Sequence, residues 1–183
     1  QRDAHPVLER FSDEAARTAL VSAFLPQTVR FRPVEAAHLF GLFHDAGIPL
    51  LMRRFPNYRD VLKKANMEPT LSFTDVEDAE LGTNHAVVGS LLAKGWQLPD
   101  SIRLGIGQHH DLDVFSSHLP AESLNLIALI HLAEHIESGY SRLSSDADWD
   151  KRGAAIMAHL MIGEDQFEEL AKDAQEILEE SGS

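Results

Sequence analysis

Cysteine is absent from this chain of 183 residues. Disulfides, thiolate metal sites and a cysteine nucleophile are therefore excluded. No apolar run approaches the roughly 20 residues of a membrane span. No charged-then-apolar leader marks a secretory signal, and together these traits fit a cytoplasmic protein. Strand signals are poor: alternating apolar runs and Asn-Gly hairpin turns are missing. Positive charge is scarce, with 16 Lys and Arg against 29 Asp and Glu, giving a formal net charge of −13. The densest basic runs, Arg53-Arg54 and Lys63-Lys64, suit solvated helix surfaces. An acidic surface repels phosphate backbones and anionic lipid, so the reading expects no nucleic acid and no membrane partner. Beginning at Gln1 rather than Met, the chain reads as cropped or processed.

What is present is helix. Hydrophobic residues make up 44% and charged residues 25%, an ordinary mixture for one domain with a sizeable core. Apolar residues recur at helical spacing over 6–25, with Pro6 suited to a first turn. A second helix is expected from Pro33 to about residue 46, stopping at Gly47. A short apolar piece runs from Ile48 to Phe55, and a helix is expected over 57–66. Residues 67–73 read as loop, after which Thr74-x-x-Glu77 matches a capping box. Asn84 caps a helix over 85–94, which Gly95 and Trp96 close as a glycine cap with its hydrophobic follow-up. Pro99 opens a helix to about His110, and a loop covers 111–119. A long apolar helix spans about 121–138 and ends at Gly139. A final pair, 149–162 and 164–180, hinges at Gly163, and the terminal Ser-Gly-Ser is expected to fray.

Ten histidines stand out against this background, several of them near one another. In LFGLFHDAGIP, residues 39–49, an apolar helix ends in His44-Asp45 and then glycine. Successive helix residues point about 100° apart, so both reach one cation only near a helix end. Neutral imidazole with carboxylate suits first-row divalent metals. By itself such a pair is more often a hydrogen-bonded helix end. His85 opens one expected helix and His109-His110 close the next. Antiparallel packing brings those ends together, so His44, Asp45, His85 and His109 or His110 fill a metal shell and allow two neighbouring ions. The plainer alternative is that these histidines bond helix ends and buried carbonyls. His131 and His135 lie four apart beside Glu134, but HLAEH lacks the order of zinc proteases, and structural or surface roles are expected. DADWDKRG, residues 146–153, mimics a calcium loop but has Lys151 at the glycine position and Met157 where glutamate is needed. Its acids are expected to begin a helix and complement the dipole.

GLFHDAGIPLL, the acidic segment Glu77 to Glu80, LGTNHAVVGSLL, GWQLPDSI and GQHHD resemble, in order and spacing, the HDOD family, an HD-related output domain of bacterial signalling proteins. The likeness runs from about residue 8 to 143, and residues 149–180 resemble the helical extension that often follows. The resemblance implies an all-α, HD-domain-like helical bundle over 1–148, with 149–183 packed on the same domain. Related HD-GYP enzymes and other HD phosphohydrolases hold metals that activate water. Relative to them, FSDEAARTA offers Asp13 or Glu14 in place of a first-helix histidine, Ile48 replaces a lysine, and the Gly-Tyr-Pro loop is missing. Their late aspartate falls near Glu134. The upstream helical segment usual in the family does not precede residue 8, as in a fragment or a shortened relative.

The resemblance thus implies a metal site partly kept and partly lost. His44, Asp45, His85, His109 and His110 are the candidate ligands, with Glu134 a weaker sixth. The expected function is a regulatory output domain acting through a protein partner or self-association. In that reading His44 and Asp45 mainly tie helix ends together. The alternative is a metal-dependent phosphohydrolase for a nucleotide or cyclic dinucleotide, using Mn, Fe, Mg or Zn. No basic cluster lies near the motif to grip phosphate; Arg103 is the nearest candidate. Between the two stands a sensor of metal or nucleotide without turnover.

Overall fold

A computed structural model describes residues 4–28, 34–141 and 147–181. The described residues form ten α-helices and one 3-10 turn, with no strand among them, the all-α bundle that the periodicity predicts. The helices are α1 (Ala4–Thr28), α2 (Val34–Phe43), α3 (Gly47–Arg54), α4 (Tyr58–Met67), α5 (Phe73–Leu81), α6 (His85–Gly95), α7 (Asp100–Gln108), α8 (Ala121–Tyr140), α9 (Ala147–Leu160) and α10 (Glu164–Ser181). The 3-10 turn, Val114–Ser116, falls inside the expected loop.

The core is built around α8. Every residue from Leu126 to Ala133 is buried, and a helix apolar nearly all round has to be. Helices α1, α2, α7, α9 and α10 all pack on it. Phe40 of α2, Ile102 and Ile106 of α7, Ile156 of α9 and Leu170 of α10 fill the space between, each under 2% exposed. Burying one such side chain contributes roughly 1.5–3 kcal/mol. A smaller apolar cluster, Ile48, Leu51, Tyr58 and Val61, joins α3 to α4.

The crossing of α3 on α6 positions the site. Gly47 opens α3 against the backbone of His85; a Cβ there would fall 2.1 Å from the His85 carbonyl oxygen. The glycine expected as a helix stop is therefore a contact point as well. Any side chain would push His85 away from Asp45.

Several expected boundaries move. The capping box of α5 is Ser72 with Asp75, each side chain bonding the other's backbone N–H at 3.1 Å, not Thr74 with Glu77. Ser72 sits one residue before the helix begins, where the orphan N–H groups are, while Glu77 turns inward. Gly95 still belongs to α6, and Gln97 takes the left-handed turn at φ 58°. Helix α8 continues through Gly139 to Tyr140, whose ring packs on the core. The turn between α9 and α10 uses positive φ at Met161 rather than at Gly163. Of the terminal Ser-Gly-Ser, Ser181 ends α10 and the last two residues lie outside the described residues.

Candidate metal centre

Six side chains from four places in the sequence meet where helix ends converge. His44 and Asp45 follow the C-terminus of α2, His85 begins α6, His109 and His110 follow α7, and Glu134 projects from α8. One donor atom from each of Asp45, His85, His109 and His110 lies within 4.8 Å of the others, and the same holds for His44, Asp45 and Glu134. Asp45 belongs to both groups.

The outward nitrogen of each ring is occupied. His44 Nδ1 donates to the Gly41 carbonyl at 3.0 Å, and His109 Nδ1 donates to that of Ile106 at 2.8 Å. His85 Nδ1 donates to Glu77 at 2.6 Å, and His110 Nδ1 donates to Asp148 at 2.7 Å. Fixing Nδ1–H leaves Nε2 as the ligand atom of a neutral ring, and a carboxylate behind it raises its basicity. Glu77 is wholly buried and also accepts from the His85 backbone N–H at 3.1 Å and from the Tyr58 hydroxyl. His131, also buried, donates to the His109 carbonyl at 2.6 Å and lies 2.9 Å from Glu134 Oε2. The ring of Phe73 covers those of His85 and His110.

Electrostatics divides the four rings. Burial would push His44 and His85 down, but Asp45 with Glu134 and Asp45 with Glu77 outweigh it, raising them to about 9 and about 10. Burial dominates at His109, lowered to about 4, and at His110, held well below its ordinary value. Burial would likewise push the Asp45 carboxyl up, but the positive His44 and His85 rings hold it well below the usual carboxylate range.

One atom tests whether this cluster fits a metal. Asp45 Oδ1 is buried and makes no well-formed hydrogen bond, although His85 Nε2 lies 3.1 Å away and His109 Nε2 3.5 Å away. Those two nitrogens are 3.4 Å apart. Donors bound at about 2.0–2.2 Å to one ion sit about 2.8–3.6 Å from each other. The set of imidazole and carboxylate donors, their spacing and the orphaned oxygen all fit a divalent first-row ion.

A cavity of about 750 Å³ opens over this cluster. Phe11, Ile48, Met52, Leu62 and Phe73 supply apolar wall, and Glu14, Glu134, Glu137 and Asp148 supply negative charge. Lys63 is the one Lys or Arg among the described lining residues. Of the two acids expected near the first-helix position, Glu14 reaches the cavity, while Asp13 is exposed and does not line it. Arg103 pairs with Asp100 at 3.0 Å and does not line the cavity.

Sequence reasoning gathered the six donors but not their supports. The sequence offers Glu77 as a cap and as the start of an acidic segment, Asp148 as a helix-dipole acid and Arg152 only as part of the rejected calcium-loop mimic, while Tyr58 and Phe73 carry no motif. His135, set beside His131 by spacing, faces away and stacks on Trp149 with ring centroids 4.1 Å apart.

A helical bundle that gathers a His-Asp pair and further histidines at its helix ends defines an HD-type domain. The chain belongs to the HDOD family, whose domain pattern matches residues 1–112. Two solved structures share the fold. The putative phosphohydrolase from Shewanella amazonensis SB2B aligns with TM-score 0.66 and 18% identity over 92% of this chain and 59% of its own. The MmoQ response regulator from Methylococcus capsulatus str. Bath aligns with TM-score 0.58 and 19% identity over 92% of this chain and 62% of its own. This chain thus spans about three fifths of each. No curated protein matches it. Among the described residues no helix is long and apolar enough to cross a membrane.

Proposed function

We propose that this chain is a regulatory HDOD domain of a signalling protein, that it holds a divalent metal ion, and that it acts through contacts with protein rather than by turnover. The orphaned, buried Asp45 Oδ1 between two imidazole nitrogens carries the metal part of the reading. Asp45, His85, His109 and His110 would hold the ion, with His44 and Glu134 completing a second position beside it. A bound divalent cation supplies Lewis acidity and fixed positive charge. The protein's own groups do the rest: Glu77 and Asp148 orient two rings, carbonyls orient two more, and Phe73 shields the cluster from water.

The preference for regulation rests on the cavity's charge. Gripping a phosphate takes convergent cations. Here Lys63 stands against five carboxylates, Arg17 is committed to Glu137 at 2.7 Å, and Arg152 is buried against backbone carbonyls. The response regulator among the structural neighbours is in keeping with a signalling role. Helices α9 and α10, packed on α8 and α1, are read as one domain with the rest.

The cavity itself favours a second reading, phosphoester hydrolysis of a nucleotide or cyclic dinucleotide, since its volume suits a small-molecule substrate. Metal content and turnover separate the two. The expected result is near-stoichiometric metal in the purified protein, loss of it in Asp45→Asn, and no hydrolysis of phosphomonoester or phosphodiester substrates with added Mn. Hydrolysis that disappears in Asp45→Asn establishes the second reading. Metal-free protein that takes up no Mn overturns the metal centre.

A further inference from the structure

The family pattern ends at residue 112, yet two side chains that fix the double histidine come from α9. Asp148 accepts from His110 Nδ1 at 2.7 Å. Arg152 is 3% exposed, and its guanidinium donates to the carbonyls of both His109 and His110, the second at 3.2 Å. It also donates to Asp148 at 3.2 Å. Carbonyls at the end of a helix lack partners within it and carry its partial negative charge. A single guanidinium therefore closes α7, holds the backbone of both histidines and steadies the carboxylate that orients one ring. An arginine fork, with several donors in a fixed plane, can do this where an ammonium cannot.

We propose that α9 is a clamp on the double histidine: Arg152 and Asp148 are positioning residues, and the docking of α9 sets the affinity of the cluster for a divalent ion. This rests on the metal-centre reading above. Coupling of this kind is reciprocal, so the ion must hold α9 down as strongly as α9 holds the ion. Trp149, next to Asp148 and stacked on His135, is a built-in reporter of the clamp. The other tryptophan, Trp96, is half exposed at 51% and can be removed.

The test uses the full chain carrying Trp96→Phe, stripped with a chelator and titrated with Co(II). Affinity is read by calorimetry, coordination by the visible cobalt spectrum, and the clamp by Trp149 fluorescence. Arg152→Gln is expected to weaken Co(II) about 10- to 100-fold and to change the spectrum. Arg152→Lys recovers only part of the loss, because it keeps the charge without the fork. Asp148→Asn weakens binding about tenfold. Leu178→Ala, in the apolar core but on α10, lowers the unfolding midpoint and leaves affinity and spectrum unchanged. Hydrogen exchange supplies an independent arm. Co(II) slows the amides of α9 in the parent protein, and slows them much less in Arg152→Gln.

A folded Arg152→Gln or Asp148→Asn with parental affinity and spectrum overturns the clamp. So do α9 amides that exchange at the same rate with and without the ion. Parent protein that binds no Co(II) overturns the metal reading and the clamp with it. If Arg152→Gln does not fold, Asp148→Asn and the exchange of the parent protein decide the matter.

Discussion

His85 and His110 are built alike and supported differently. Each donates Nδ1–H to a carboxylate, at 2.6 Å and 2.7 Å. The carboxylate behind His85 is Glu77, eight residues away and wholly buried. The carboxylate behind His110 is Asp148, 38 residues away and 18% exposed. Glu77 satisfies three donors inside the bundle: the Tyr58 hydroxyl and two N–H groups of His85. Asp148 is shared among His110, Arg152 and Lys151 at the bundle's edge. The first support is inseparable from folding. The second is expected to be removable from a folded protein, which would suit it to control.

Replacing Glu77 by Leu would test the first half of that contrast most severely. The substitution leaves three buried donors without an acceptor and a positive ring without its carboxylate. Loss of one partner of a buried ionic pair costs about 3–5 kcal/mol. Urea unfolding should show a loss of that size, or no folded protein at all. A well-folded Glu77→Leu within about 1 kcal/mol of the parent would mean that the two supports do not differ.

Metal-free protein should also show opposed pH dependences at neighbouring rings. His44 and His85 have folded values raised to about 9 and about 10. Their contribution is full below the unfolded value of about 6.5 and is lost as pH rises through the folded values. His109 and His110 are lowered instead, His109 to about 4. Their contribution is full above about 6.5 and is lost as pH falls through the folded values. The urea midpoint of chelator-treated protein should therefore peak near pH ~6.5 and fall on both sides. A midpoint that keeps rising from pH 7 to 9 would contradict the raised values at His44 and His85.

The same contrast explains what could be read before the coordinates. Helices that bury an apolar stripe announce themselves by period, and α8 is apolar enough to name the centre of the core. The donors were legible because a His-Asp pair, a lone histidine after Asn84 and a double histidine all sit at helix ends, where tips meet. Their supports were not, because a buried acid and a solvated acid look the same in a sequence. Glu77 fits a capping pattern that Ser72 and Asp75 in fact fill. Asp148 begins a helix, which is reason enough for an acid there. Only three-dimensional convergence separates an acid that decorates a helix from one that orients a ligand. Boundaries at Gly95 and Gly139 moved for a related reason: each glycine permits an end, while tertiary packing decides whether to use it.

Tyr58→Phe probes the buried support more gently. It removes one of three donors to Glu77 and leaves the ring in place, fully buried between α3 and α4. An unsatisfied buried acceptor costs about 1–3 kcal/mol. His85 keeps both its bonds to Glu77, so metal affinity should change less than stability does. Metal loss far exceeding the stability loss would place Tyr58 closer to the site's function than its position suggests.

The smallest expected change in stability belongs to Asp148→Asn, and it bears most directly on the contrast. Asparagine keeps an oxygen that can face His110 Nδ1, and Arg152 retains its bonds to the His109 and His110 carbonyls. What is lost is one negative charge beside a buried guanidinium that keeps its two carbonyl acceptors, a cost of about 1 kcal/mol. The ring, though, loses the charge that raised its basicity and fixed its direction, and that acts on a ligand rather than on folding. Stability nearly unchanged with metal binding about tenfold weaker is the expected outcome, read by urea midpoint and calorimetry on one preparation. Equal losses in both would make Asp148 a second Glu77, and the edge of the bundle would be no more separable than its core.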